Sequence, residues 1–201
     1  LLPEVLSELD ESVRDDVVEL FEPHDLAAAV TELETDDAVF VIEDLDQAQQ
    51  AEVLRSVPAE ERAALVEGLS YDEDTAGRLM QRDLIAVPAY WTVGQTIDYL
   101  RETADLPESF HEIFVVDPAH HPIGAVYLDR VLRTKRPIKI IEIMDPDLRR
   151  VPVEMDQEQV GYLFQQYGLL SAPAVDAEGR LVGVIMVDDV VEVIHEEVEE
   201  D

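Results

Sequence analysis

Hydrophobic residues return at a spacing of twelve along the first third of the chain, at Leu9, Phe21, Leu33, Leu45, Val57 and Leu69. The stretches between them favour helix. Several open on a start signal of Pro or Asp followed by acids: Glu22-Pro23-His24-Asp25, Thr35-Asp36-Asp37 and Pro58-Ala59-Glu60-Glu61. A twelve-residue unit holds one short helix and a turn. Helices of eight or nine residues are unstable alone, so these must stack on a shared apolar face. The pattern predicts an α-solenoid over residues 1 to about 70, within an N-terminal domain of residues 1–78.

A second repeat follows with a different rhythm. Val87-Pro88 matches Val151-Pro152 at an offset of 64, while Asp117, Gly124 and Asp129 match Asp176, Gly183 and Asp188 at an offset of 59. The first copy carries five extra residues around 105–109. Each copy reads as a short strand, an amphipathic helix (92–101 and 156–167), two strands around a polar turn, and a closing helix. Val115-Val116 with 123–128, and Ala174-Val175 with 181–186, carry the β-branched strand character. The fold class is therefore α+β multidomain: a helical solenoid, then tandem β-α-β-β-α units over 79–136 and 137–201.

Charge narrows the function. The 201 residues hold 47 Asp plus Glu against 14 Lys plus Arg, a formal net charge of −33, which repels nucleic acid. An apolar share of 47% still supplies a core. There is no Cys, hence no disulfide scaffold, thiolate metal site or Cys nucleophile, and the composition suits a reducing cytosol. No apolar run approaches the 18 or so residues that span a bilayer. The chain opens on Leu1 rather than Met and stops within a charged helical pattern at 195–201, as expected of a piece of a longer protein.

Pro173-Ala174-Val175-Asp176-Ala177-Glu178-Gly179-Arg180-Leu181-Val182-Gly183 resembles the signature of a CBS domain, and the two copies resemble a CBS pair. Tyr71-Asp72-Glu73-Asp74-Thr75-Ala76-Gly77-Arg78-Leu79-Met80, at the junction with the solenoid, is more specific. Together they resemble the cytosolic part of an MgtE-type magnesium channel. The resemblance implies a regulatory region on the cytoplasmic face of the membrane. It would be homodimeric through its CBS domains and joined by a connecting helix to a transmembrane pore domain of the same chain, with Mg²⁺ holding the compact form that closes the pore. Mg²⁺ takes oxygen ligands, usually one or two carboxylates and several waters, which so acidic a chain can supply.

Matched to the family's acidic positions, the metal ligands would be Asp189 and Glu192 on the helix closing the second CBS copy, facing Glu32 and Asp36 on the solenoid. The backbone carbonyl of Gly77, the pair Asp156 and Glu158, and Glu200 with Asp201 on the connecting helix complete the set. Gly168 stands where the family usually has an acid. Simpler roles compete: Asp36 and Asp156 also suit helix N-caps, and Glu158 suits a first turn favoured by the helix dipole.

Two other functions compete. CBS pairs commonly bind adenine nucleotides through a Ser/Thr-x-x-Asp run after the last strand. Here Met186-Val187-Asp188-Asp189 keeps the acid without the hydroxyl, and Tyr127-Leu128-Asp129-Arg130 loses both, although Arg133, Lys135, Arg136 and Lys139 form a basic cluster. A purely structural dimerisation module would show no ligand dependence. The five His lack zinc-site spacing, and there is no phosphate loop, nucleophile elbow or triad cue, so the chain reads as a non-enzyme.

Overall fold

The computed structural model describes residues 5, 13, 17, 18, 20–43, 45–107 and 109–191. Its helical part contains α1 (Pro23–Thr31), α2 (Thr35–Glu43), α3 (Gln47–Ser56) and α4 (Ala59–Gly68). Pro23 opens α1, where a missing N–H costs nothing. The Asp46 side chain accepts hydrogen bonds from the backbone N–H groups of Ala48 and Gln49, while Gln49 reaches back to the Asp46 N–H, closing a capping box on α3. Helix α1 packs on α3 and α2 on α4, the stacking of a solenoid. Leu26, Val30, Val39, Ile42, Val53 and Leu65 form the buried seam.

The twelve-residue period marks the turns rather than the helix centres. Leu33 lies between α1 and α2, Leu45 between α2 and α3, and Val57 and Leu69 end α3 and α4. All four pack in or against the solenoid core, so each plugs the gap that a change of direction leaves. Leu9 lies outside the described residues.

After the short helix α5 (Ala76–Leu79) come β1 (Ala86–Pro88), α6 (Val93–Glu102), β2 (Glu112–Val116), β3 (Pro122–Tyr127) and α7 (Leu128–Arg133). The second copy repeats this with β4 (Val151–Pro152), α8 (Gln157–Tyr167), β5 (Ser171–Val175), β6 (Leu181–Met186) and helical residues 187–191. In both sheets the first strand is parallel to the second and the second antiparallel to the third, with a register shift at the same place, Val115/Val116 and Ala174/Val175. Both amphipathic helices are capped by their preceding residue, Thr92 and Asp156. The duplication is exact enough that His120 and Gly179, equivalent turn positions, both adopt positive φ, 67° and 79°.

Each copy is entered by an arm that packs on the other. Ala76 and Met80 are buried in the core of the second copy, while Ile140 and Ile143, which precede that copy, are buried in the core of the first. Two glycines admit the arms: a Cβ on Gly183 would fall 2.7 Å from the Met80 sulfur, and one on Gly124 2.7 Å from that of Met144. Gln81 then pairs with Val184 through both backbone groups, at 2.8 and 2.9 Å. A third core of Phe114, Val116, Ala125, Leu181 and Val184 lies between the two copies. Burying such side chains contributes about 1.5–3 kcal/mol each, so arm and sheets form one unit. The solenoid is thus joined to a segment already fixed on the second copy.

Candidate metal centre

The acidic start of α2 meets the end of the second copy. Asp36, in the first turn of α2, and Asp189, in the helix that closes the copy, bring their carboxyl groups within hydrogen-bonding reach of each other. Gln81, on the crossing arm, lies beside the pair: its Nε2 donates to Glu34 at 2.8 Å, and its amide opposes the rise of the Asp189 carboxyl. Asp36 Oδ1 and Asp189 Oδ2 are sealed from solvent and accept no hydrogen bond. Glu34, Asp37 and Asp188 surround them, and Asp83 lies near Glu34.

The electrostatics follow from that geometry. Burial, then the charges of Asp189, Asp37 and Glu34, pushes the Asp36 carboxyl well above the usual range. Burial and Asp188 raise Asp189 to about 7. Glu34 rises for the same reasons, burial first and then Asp37, Asp188 and Asp83, and only its bond from Gln81 opposes. Two half-buried carboxylates, each with one oxygen shut off from solvent and unpartnered, are relieved by either a shared proton or a cation. No group of three His, Cys, Asp or Glu is poised to close on a metal by itself among the described residues. A hydrated Mg²⁺ does not need one, since one or two carboxylates and retained water suffice, so this donor set fits a hard divalent ion.

The match to a family is now supported along the chain. The model of the MgtE intracellular N domain matches residues 1–74, and that of the CBS domain matches 76–136 and 140–196. A crystal structure described as the cytosolic domain of the Mg²⁺ channel MgtE in complex with ATP superposes with a TM-score of 0.88 at 31% identity, covering 95% of this chain and 78% of that one. The chain belongs to the MgtE family. The soluble part of a magnesium transporter superposes equally well, TM-score 0.88 at 29% identity over 98% of this chain and 77% of that one. The magnesium transporter MgtE of Thermus thermophilus is 33% identical over the whole of this chain, and that of Enterococcus faecalis 30% over 71% of it. This chain spans 56% of the first relative and 32% of the second. Among its described residues no helix is long and apolar enough to cross a membrane.

Within this MgtE fold the other candidate ligands are dispersed. Glu32 ends α1, where its N–H donates to the Ala29 carbonyl, and its side chain is exposed; the acid which that turn places beside Asp36 is Glu34. Gly77 is buried in α5, its N–H bonded to the Val153 carbonyl at 2.9 Å. Only a glycine fits there, because a Cβ would fall 2.4 Å from the Tyr71 ring. Asp156 caps α8 by accepting the Glu158 N–H at 3.0 Å, and both side chains are exposed. Glu192, Glu200 and Asp201 lie outside the described residues.

Glu34, Asp37, Asp83, Asp188 and Gln81 were not named as candidate ligands from the sequence. Asp37 and Asp188 adjoin Asp36 and Asp189 and were within reach of the same reasoning. Gln81 and Glu34 are 47 residues apart, and no local pattern joins them. In the basic cluster, Arg136 is committed to Asp98, bonding its two oxygens at 2.7 and 2.6 Å.

Proposed function

We propose that this chain is the magnesium-sensing regulatory region of a magnesium transporter, in which Mg²⁺ bridges the solenoid and the second CBS copy. Asp36 and Asp189 supply the carboxylates, and Glu34, Asp37, Asp83 and Asp188 raise the local negative potential that draws the cation in. What supports the reading is the Asp36–Asp189 pair at the boundary of the two parts, where like charges meet, one oxygen of each is shut off from solvent, and a cation would remove the cost. With Mg²⁺ bound the solenoid stays docked. Without it the carboxylates repel, and the solenoid turns about residues 70–74, the stretch between α4 and the anchored arm. The compact form would favour a closed pore in the full protein, homodimeric through its CBS domains, with Glu192, Gly77, Asp156, Glu158, Glu200 and Asp201 as sites for further ions.

Ligand-linked stability tests this. A site that forms only in the folded, docked chain adds about 2.7 kcal/mol at a Mg²⁺ concentration 100 times its Kd. The melting temperature is expected to climb through the millimolar range of Mg²⁺ and to change little with Na⁺ at equal ionic strength. Asp36→Asn with Asp189→Asn removes most of the increment. A wild-type melt indifferent to Mg²⁺ would leave a structural module.

A second ligand is favoured by one observation, the relative solved in complex with ATP. ATP bound between the CBS copies would act at a separate site, and it is expected to raise the melting temperature of the Asp36→Asn, Asp189→Asn variant as much as that of the wild type.

A further inference from the structure

The junction motif carries an arginine that the cation site does not use. Arg78, in the arm anchored on the second CBS copy, forms an ion pair through Nη1 with Glu43, the last residue of α2, and its Nε donates to the Tyr71 carbonyl at 3.0 Å. Four residues on, Arg82 Nη2 lies 2.6 Å from a carboxylate oxygen of Glu67, next to the last residue of α4, a looser and more solvated pair with side chains 29% and 44% exposed and no well-aligned hydrogen bond. Both guanidinium groups therefore stand at C-terminal ends of solenoid helices, where the helix dipole adds to the carboxylate charge. The Arg78 side chain is 15% exposed and Glu43 27%, so the first pair is only weakly screened by water. The cation-responsive carboxylate Asp36 lies at the opposite end of the same helix, α2.

We propose that Arg78 and Arg82 are a permanent tie that holds the C-terminal ends of α2 and α4 on the second CBS copy, so that emptying the acidic cluster opens the interface at the other end of α2 alone. The opening reading rests on the cation site proposed above; the tie does not. Guanidinium keeps its charge at every accessible pH and needs no metal, so these contacts act equally with the cluster filled or empty. The solenoid then pivots instead of detaching, and it returns to one register when Mg²⁺ rebinds.

Small-angle scattering of the 201-residue chain tests this in EDTA and across a Mg²⁺ titration at fixed ionic strength. Arg78→Met and, independently, Glu43→Gln are expected to enlarge the radius of gyration in EDTA beyond the wild-type value. Each should raise the Mg²⁺ concentration for half-compaction by about tenfold, with helix content by circular dichroism unchanged. The exchanged pair, Arg78→Glu with Glu43→Arg, should recover much of the loss, which a purely packing role of Arg78 would not allow. Wild-type radii in EDTA for both single variants, or an exchange no better than either single change, would overturn the tie. If Arg78→Met loses helix content, Glu43→Gln and the exchange decide. A wild-type radius indifferent to Mg²⁺ would instead remove the cation site, and the EDTA comparison would still decide the tie.

Discussion

Asp189 stands at the end of the second copy with a carboxyl raised to about 7 from its ordinary 3.8, by burial first and by Asp188 next. The folded chain therefore holds that proton more tightly than the unfolded chain does. Stability from this group is fully present below the unfolded value and is lost as pH rises through about 7. In EDTA the melting temperature is expected to fall between about pH 5 and pH 7.5, with Asp189→Asn flattening the fall. Millimolar Mg²⁺ should flatten it too, because the cation replaces the proton. A pH slope shared by the wild type and Asp189→Asn would remove Asp189 as the cause. Asp36 and Asp189 could be named from the sequence because each has a counterpart in a family. Glu34 and Gln81 could not, since what makes them matter is the crossing arm that carries Gln81 under the solenoid.

At the scale of elements, the strands and amphipathic helices of both copies were legible because alternating and helical patterns report burial directly, and the caps Thr92 and Asp156 fall at the predicted helix starts. The meaning of the twelve-residue period was not. A hydrophobic period registers burial alone, and a turn plug is as buried as a helix face. The crossing arms were also hidden, because the sequence order of the copies says nothing about which one a preceding segment packs on. Gly183→Ala tests the arm: its Cβ would meet the Met80 sulfur at 2.7 Å and the Gln81 carbonyl at 2.9 Å, and the backbone atom cannot move aside cheaply. Urea denaturation should show a loss of about 1–3 kcal/mol. Gly168 answers differently. It ends α8 in the left-handed conformation, φ 60° and ψ 43°, and nothing lies within 4 Å of an added Cβ. Its place is therefore explained by the helix end, whatever acid relatives carry there. Gly168→Ala should cost about 1 kcal/mol from backbone strain alone, and Gly168→Asn less. A Gly168→Asn loss equal to that of Ala would argue against this origin.

The whole molecule must reconcile a net charge of −33 with the homodimer proposed for it. Val190 on the closing helix is 1% exposed inside the second copy's core, because the helix turns that side onto its own sheet. Among the described residues of the CBS half, the large hydrophobics that remain exposed are Val191, Leu132, Ile141 and Leu170, with Tyr90, Tyr127, Tyr162 and Tyr167. Such residues invite a second copy of the chain, but two polyanions repel, and the repulsion is long-ranged only at low salt. Association driven by apolar contact against like charge should therefore strengthen with ionic strength, the reverse of an interface made by opposite charges. Light scattering at micromolar protein is expected to show a dimer, with dissociation at low salt and recovery when Na⁺ is raised. Mg²⁺ should promote the dimer at lower ionic strength, because it also neutralises charge within each chain. Tyr162→Arg, at a side chain 66% exposed and so free to change without unfolding the copy, should yield monomer at every salt concentration. A wild-type monomer at high salt with Mg²⁺ would show that this apolar surface does not join two copies, and a dimer that salt dissociates would place the interface among opposite charges, with the cluster of Arg133, Lys135 and Lys139 as its basic side.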